Sequence, residues 1–219
     1  MAIKRSSKGI ASAGKPDRGI WEYRTTLEAQ TFSSLMGWAG ADRMRVVAAR
    51  HAPHLEAEFA AAAERLREEI VMRAFDEKRG SFVGSYGGSE LDASLLQMAS
   101  LRFLPPDDPR LGATIHAIAS ELEHGGWIQR YRRDAFGPTD VAFVLCTMWC
   151  VEALANVGRV SDAQTLLART MGSLSPLGLI AEDFDPRSGR QWGNFPQAYS
   201  HVGLIHAAFA SSPPWSEVV

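Results

Sequence analysis

The Trp21-Glu22 pair is the part of the sequence whose residue types could most directly do chemistry. An adjacent indole can exclude water from a carboxyl and raise its pKa, which a general acid needs in order to hold its proton. A Glu that opens a helix is more often a favourable partner of the helix dipole. The pair alone therefore leaves both interpretations of Glu22 open.

Thiols and imidazoles do not form a metal-binding pattern. Cys146 and Cys150 are four residues apart in an apolar helical pattern, so we expect both to lie in a core as small hydrophobic groups. His201 and His206 are five apart, which is about 140° around a helix, and such a pair does not converge on one ion. We predict neither a disulfide nor a metal site from these four residues.

Asp183 and Asp185 could be the start of a calcium-binding loop. Arg187 and Ser188, however, follow at the positions where an EF-hand needs a ligand and then Gly. The sequence also lacks a phosphate loop and a dinucleotide fingerprint. We therefore predict no metal ion and no cofactor.

The bulk properties are those of an ordinary globular protein. The chain has 219 residues, 46% of them hydrophobic and 22% charged, with a formal net charge of −2. This balance gives no reason to expect nucleic acid or an anionic membrane as a partner. No apolar run approaches the roughly 20 residues that span a bilayer, and residues 1–15 lack the apolar segment of a secretory signal. We predict a cytoplasmic protein.

Apolar residues recur at intervals of three and four along most of the chain, and alternating strand patterns are scarce. The sequence therefore predicts an all-α fold. Seven helices are expected, beginning near Thr31, Pro53, Ser89, Pro109, Val141, Ser161 and Pro196. Glycine-rich and aromatic loops near residues 76–89, 123–138 and 174–194 are where we expect function to lie.

Capping residues suggest how several of these helices begin and end. Ser89 and Asp108 are candidate N-caps, and Ser161 with Gln164 could form a capping box. Gly158 is a typical helix stop. For the domain organisation we predict a flexible basic tail over residues 1–15, one domain over 16–212 and a C-terminal tail over 213–219.

Five segments of the sequence together resemble glycoside hydrolase family 15, the glucoamylase and trehalase family. They are residues 16–22, 30–43, 85–94, 130–132 and 194–201, in this order along the chain. The resemblance covers about residues 16 to 211 but only the later half of the family's catalytic domain. It implies the C-terminal portion, about seven helices, of an (α/α)6 toroid. A partial toroid is expected to expose apolar flanks unless another chain or a second copy covers them.

The resemblance implies a pair of catalytic carboxyls. Inverting hydrolysis of a glycosidic bond needs a protonated acid and an ionised base, held roughly 6.5 to 9.5 Å apart. Glu22 matches the family's general acid, and Glu182 matches its general base. A solvated loop carboxylate is the alternative for Glu182. Asp140 stands where many relatives have Glu, and we expect it to cap a helix or to orient a neighbour.

The resemblance also implies sugar contacts at Trp21, Arg130 and Tyr199. A guanidinium can donate to vicinal hydroxyls, and an aromatic face can cover the apolar side of a pyranose. Structural alternatives remain open, because Arg130 could only pair with Asp134 and Tyr199 could belong to a packed core. Trp192 could be a loop anchor or a further site residue.

The function implied by the resemblance is inverting hydrolysis of α-glucosidic bonds in trehalose or α-glucans, with release of glucose. Pocket loops from the earlier helices of the family lie outside the matched portion, so we expect activity only when another chain supplies them. The expected partners are an α-glucoside and either such a chain or a second copy. The alternative is a non-catalytic remnant or a helical sugar-binding and oligomerising module.

Overall fold

The computed structural model describes residues 9–134, 137–138 and 140–217, and the chain divides into two compact units, Met1–Glu90 and Leu91–Val219. The helices are α1 (Thr31–His51), α2 (Glu56–Ala74), α3 (Gln97–Ser100), α4 (Pro109–Glu121), α5 (Val144–Asn156), α6 (Val160–Met171) and α7 (Ala198–Ser211). Short 3₁₀ turns cover Pro53–Leu55, Ala93–Leu96 and Trp215–Glu217. Among the described residues, no helix combines the length and the apolar character needed to cross a membrane.

In the first unit, α1 and α2 pack against each other and are joined through the Pro53–Leu55 turn. Both helices bury large apolar side chains that the helical spacing had placed on one stripe of each helix, among them Leu35, Trp38, Phe59, Leu66 and Ile70. Residues 9–12, within the segment expected to be a tail, form a helical turn, and the Gly14 N–H donates to Ser34 Oγ at 3.0 Å.

In the second unit, α5 packs against α6, α7 and the Ala93–Leu96 turn. Cys146 and Cys150 on this helix are both free and at most 1% exposed, which confirms the core position predicted for them. Burial raises the pKa of the Cys150 thiol to about 12 and that of Cys146 well above its ordinary value. Both thiols are therefore protonated at neutral pH.

Short antiparallel strands occupy the loops that the sequence marked for function and the segment just before α5. They are β1 (Phe75–Asp76), β2 (Ser81–Phe82), β3 (Glu123–His124), β4 (Trp127–Ile128), β5 (Arg133–Asp134), β6 (Gly137–Pro138), β7 (Ala142–Phe143), β8 (Asp183–Asp185) and β9 (Arg190–Trp192). The first six form three hairpins, and β7, β8 and β9 form a sheet with β8 in the middle. Behind this sheet the Trp127 and Phe184 rings stack with centroids 4.3 Å apart in a buried cluster.

Two of the predicted helix caps are wrong. Ser89 is exposed, and the turn that follows begins instead at Asp92, whose side chain accepts from the Ser94 N–H at 2.8 Å. No capping box forms at Ser161, because the N-cap of α6 is Arg159 and no side chain caps that end.

The helix expected from Val141 begins at Val144, because Ala142 and Phe143 pair with β8. Asp140 therefore does not cap it. The last helix begins at Ala198, where the Gln197 side chain accepts from Ser200. The Asp108 cap is confirmed by a 2.9 Å bond from the Arg110 N–H.

Candidate active site

Glu22 lies in a loop of the first unit that two backbone hydrogen bonds close. The Asp17 N–H donates to the Glu28 carbonyl at 2.8 Å, and the Glu28 N–H returns a bond to Asp17 at 3.3 Å. Just after the loop, the Thr31 N–H donates to Gly84 and the Tyr86 N–H to Ala29, both at 2.9 Å. The loop is thus anchored to the segment that follows β2.

The first turn of this loop is fixed by the Asp17 carboxylate. Its Oδ1 accepts from the Gly19 N–H at 2.5 Å and from Ser33 Oγ at 2.9 Å. Gly19 has a φ of +63°, and a Cβ there would lie 3.2 Å from Cγ of Gln30. Only glycine combines that conformation with such a close neighbour at low cost.

Glu22 occupies the second turn in a left-handed conformation, with a φ of 52°. Its N–H donates to the Gly19 carbonyl at 3.2 Å, and Arg18 Nη1 donates to the carbonyls of Tyr23 and Arg24 at 2.6 and 2.8 Å. A non-glycine residue in this region costs on the order of 1 kcal/mol, and such strain concentrates at functional positions.

The surroundings of Glu22 correct two points of the sequence interpretation. Glu22 does not open a helix, because α1 begins at Thr31, so the helix-dipole interpretation is wrong. The side chain of Glu22 is also exposed, while Trp21 is half-buried. Contrary to the expectation, the indole therefore does not exclude water from the carboxyl in this chain.

Glu182 immediately precedes β8, and its backbone is bonded on both sides. The Val144 N–H donates to the Glu182 carbonyl, and the Glu182 N–H donates to the Asn194 carbonyl, both at 3.0 Å. The residue is thus held between the start of α5 and the end of the β8–β9 hairpin.

The Glu182 side chain is half-buried and is held by Asn194. Glu182 Oε2 accepts from the Asn194 backbone N–H at 3.2 Å and from Asn194 Nδ2 at 2.9 Å. Gly193, with a φ of +76°, makes room for this contact, because a Cβ there would lie 2.8 Å from Oε2. Asn194 therefore orients the carboxylate through an exposed contact.

Asp183, which sequence reasoning considered only as a calcium ligand, is a further acidic group beside Glu182. Burial raises the pKa of Asp183 to about 6, with a smaller lowering by the Arg130 charge and a raising by the Glu182 charge. Its Oδ1 is buried and has no hydrogen-bond partner among the described residues. The signal in the sequence was its place directly after the matched Glu182.

Asp185 has a different task. Its Oδ1 accepts from the Arg187 N–H at 2.9 Å and its Oδ2 from Ser188 Oγ at 2.7 Å. The hydrogen bond from Ser188 lowers the pKa of Asp185. Asp185 therefore closes the β8–β9 turn.

Arg130 follows β4, and its guanidinium carbon lies 5.3 Å from the centre of the Phe143 ring and 5.6 Å from that of Tyr131. Its carbonyl accepts from the Ala93 N–H at 2.9 Å. The proposed partner Asp134 has a side chain outside the described part of the structure.

The aromatic candidates of the second unit are exposed. Tyr199, in the first turn of α7, is 67% exposed, so the packed-core alternative for it is wrong. Trp192 is 49% exposed, with the Arg190 guanidinium 5.2 Å from its ring centre. On the same helix as Tyr199, Nδ1 of His201 lies 2.8 Å from the Gln197 carbonyl, as expected of helix packing.

Asp140 forms an exposed ion pair with Arg187 at 3.2 Å. Exposed pairs of this kind stabilise a fold little. The pair links the segment before β7 to the β8–β9 turn.

The candidate residues fall in both units. Trp21 and Glu22 belong to the first unit, and Arg130, Glu182 and Tyr199 to the second. Within the second unit, the β7–β8–β9 sheet brings together the Glu182 segment, Asn194 and the ring beneath Arg130.

The sequence matches the family described as glycosyl hydrolases family 15 over residues 10–171. It is 42% identical over 198 residues to a trehalase of Mycobacterium tuberculosis and 33% identical to one of Thermoplasma volcanium. Each match covers 88% of this chain but only 29% and 32% of the relative. The chain thus spans about three tenths of the length of the curated relatives it matches.

Solved structures give the fold. The chain resembles a wild-type glycosidase with a TM-score of 0.78 at 23% identity, covering 92% of this chain and 57% of that one. It resembles the family 15 glucoamylase of Hypocrea jecorina with a TM-score of 0.70 at 14% identity, covering 92% and 45%. This likeness confirms the predicted all-α fold, a C-terminal portion of an (α/α)6 toroid. With the fold, the matched segment and the trehalase relatives in agreement, the chain belongs to glycosyl hydrolases family 15.

Proposed function

We propose that the chain contributes the catalytic carboxyls of an inverting α-glucosidase, with trehalose as the preferred substrate and glucose as the product. The observation that carries the proposal is the Glu182 carboxylate held by two N–H donors of Asn194. A general base must present a fixed carboxylate oxygen to a water molecule. A freely rotating surface Glu does not meet this requirement.

Glu22 is the general acid in this proposal. It would protonate the oxygen between the two glucose units while water, activated by Glu182, attacks the anomeric carbon from the opposite face. Its strained turn fixes the backbone of the acid. Exclusion of water around Glu22 would come from the bound sugar, since the side chain is exposed in the chain alone.

Trp21, Arg130 and Tyr199 are the proposed sugar contacts. Trp21 and Tyr199 both have accessible ring surface, and an aromatic face can cover the apolar side of a pyranose. Arg130 offers several N–H donors from one rigid fork. The identity with trehalases supports trehalose over longer α-glucans.

The test is release of glucose from trehalose and maltose by the 219-residue chain, alone and mixed with a polypeptide carrying the remaining part of a trehalase relative. From trehalose in the mixture we expect equal amounts of β-glucose, formed by inversion at the attacked anomeric carbon, and α-glucose, the leaving unit, as seen by proton NMR before mutarotation. Glu182→Gln and Glu22→Gln should each abolish release, while Asp185→Asn serves as a control on the same hairpin. A folded complex that released no glucose from any α-glucoside would contradict the proposal.

A second candidate is a helical sugar-binding or oligomerising module without turnover, and the surface of α7 favours it. Tyr199, Val202, Ile205 and Phe209 are 50 to 67% exposed and form a stripe along the helix. The helix contains no Asp, Glu, Lys or Arg. Such a stripe suits contact with a further helical chain or a second copy. Equilibrium sedimentation and calorimetric titration decide between the candidates, because a stable oligomer that binds neither trehalose nor maltose supports a non-catalytic module.

A further inference from the structure

Asp183 and Arg130 are brought to one face of the β7–β8–β9 sheet. Asp183 lies on the middle strand, opposite Phe143 on one side and Trp192 on the other. Directly opposed residues of antiparallel strands project to the same face. Since the Arg130 guanidinium lies over the Phe143 ring at 5.3 Å, the pairing places a cation on the face that carries the Asp183 carboxyl.

The sheet itself does not use Oδ1 of the Asp183 carboxyl in a hydrogen bond. Its Oδ1 is buried and without a hydrogen-bond partner among the described residues. Asp185, two residues further on the same strand, instead has both oxygens bonded within the turn. A buried carboxyl oxygen without a donor destabilises a fold unless a nearby charge compensates it. The positive charge of Arg130 compensates the Asp183 carboxylate in this way, because it lowers the pKa of that carboxyl.

We propose that Asp183 is a positioning residue, whose carboxylate holds the guanidinium of Arg130 next to the strand that follows Glu182. A long Arg side chain loses conformational freedom when it binds, and a fixed counter-charge removes part of that loss in advance. Arg130 is then ready to donate to sugar hydroxyls. Only this last step rests on the proposed function.

The other charged and titratable groups around the pair are Glu182, Asp92 and Cys146. Asp92 and Arg130 both act electrostatically on the Cys146 thiol, and the Asp92 side chain accepts from the Ser94 N–H at 2.8 Å. The buried Cys146 thiol is neutral, because burial raises its pKa well above the ordinary value. Arg130 keeps its charge at all relevant pH values. A titration near pH 6 that Arg130 senses in the wild type is assigned to Asp183 when it is lost in an Asp183 variant.

The first experiment needs no sugar. The Nε–H resonance of Arg130 is followed by ¹H–¹⁵N NMR in the ligand-free chain from about pH 5 to about pH 7.5, a range that brackets the value for Asp183. We expect the resonance to move with a midpoint near 6, to stop moving in Asp183→Asn and to move as in the wild type in Asp185→Asn. A resonance that does not move, or that moves equally in Asp183→Asn, overturns the proposal.

A reciprocal variant keeps the proposal testable if Asp183→Asn does not fold. In Arg130→Met, the ¹³C resonance of the Asp183 carboxyl should titrate at higher pH than in the wild type, because a cation that favoured the ionised form is gone. An unchanged midpoint contradicts the proposal.

The second experiment adds trehalose to the chain mixed with the complementing polypeptide. Calorimetric titration should give a dissociation constant about tenfold weaker for Asp183→Asn than for the wild type, the scale of one lost charge-assisted hydrogen bond, and no change for Asp185→Asn. Equal affinities of the wild type and Asp183→Asn contradict the positioning role. If the NMR coupling is present but no variant and not even the wild type binds sugar, the proposed function fails and the Asp183–Arg130 pairing stands.

Discussion

Glu182 and Gly193 approach each other so closely that the identity of one restricts the other. Gly193 and Gly189 both belong to the β8–β9 hairpin and both have positive φ, +76° and +67°. They differ in their neighbours, because a Cβ at Gly193 would meet the Glu182 side chain at 2.8 Å while one at Gly189 would meet nothing within 4 Å. Comparing Gly193 with Gly189 therefore separates the effect of backbone strain from the effect of steric contact.

Gly193→Ala should therefore destabilise the chain by more than Gly189→Ala. Strain alone costs on the order of 1 kcal/mol at each position, and the clash with Glu182 adds to it only at Gly193. Urea unfolding of both variants measures the difference. Equal losses would show that Glu182 moves aside freely and is not firmly held.

Asp183 gives the stability of the chain a defined pH dependence. Its pKa is raised to about 6 in the folded chain from about 4 in an unfolded chain, so the folded state binds the proton more tightly. The stability it contributes is complete below about pH 4 and is lost as pH rises to about 6.

We expect the unfolding free energy of the wild type, relative to that of Asp183→Asn, to fall between these two pH values and to stay constant above them. Urea titrations at several pH values measure this difference. A difference that rises with pH would mean that Arg130 outweighs burial in setting the pKa of Asp183.

At the scale of elements, α4 shows a cap that the sequence predicted correctly. Asp108 Oδ1 accepts from the Arg110 N–H at 2.9 Å, and the Arg110 guanidinium binds the same carboxylate at 3.0 and 2.7 Å. The hydrogen bond from the Arg110 side chain is the main reason that the pKa of Asp108 is lowered.

Asp108→Ala should destabilise the chain by about 1 kcal/mol, because it removes the N-cap of α4. Thermal unfolding at neutral pH measures the loss, and the exposed neighbour in Asp107→Ala is the control. Since the pKa of Asp108 is lowered, its contribution is present above its unfolded value and disappears as pH falls through the lower folded value. Equal stability of the two variants at neutral pH would contradict the role of the cap.

The helices were predictable because their apolar residues recur over many turns, as the buried Phe59, Leu66 and Ile70 do along α2. The strands were not, since two or three residues cannot display an alternating pattern. The start of α5 was predicted too early, because Ala142 and Phe143 pair with β8 and do not join the helix. Local sequence does not contain that pairing.

The contact between Glu182 and Asn194 was only partly predictable. Resemblance placed both residues in known motifs, but the contact depends on the register of the β8–β9 hairpin, which pairs Asp183 with Trp192. The Asp183–Arg130 relation depends on the additional pairing of β7, and no spacing in the sequence announces it. Long-range strand pairing decides which side chains become neighbours, and the periodicity of the sequence does not show this.

At the scale of the whole molecule, the stripe on α7 is an extended apolar surface. Helices with an apolar exposed face bury it against another element in a completed structure. The resemblance predicted such apolar flanks for a partial toroid. Leu177, in a loop of the same unit and 83% exposed, is an apolar residue outside the stripe for comparison.

Ile205→Lys should weaken association of the chain with itself or with a complementing polypeptide by at least about tenfold, because it places a charge in the middle of the stripe. Leu177→Lys should leave association unchanged. Sedimentation equilibrium of the two variants and the wild type measures this. Identical behaviour of both variants would mean that the stripe is not an interface.

The two buried thiols can be used to measure how readily the second unit opens. Cys146 and Cys150 are the only cysteines of the sequence, both lie on α5, and neither is accessible to a reagent in the folded chain. An alkylating reagent can modify them only after that unit opens, so the modification rate measures the opening equilibrium of the second unit alone. Conformational changes in the Glu22 loop, which belongs to the first unit, do not alter the modification rate unless they also open α5. Thiol labelling with and without trehalose thus reads out how strongly a sugar stabilises the unit that carries Glu182.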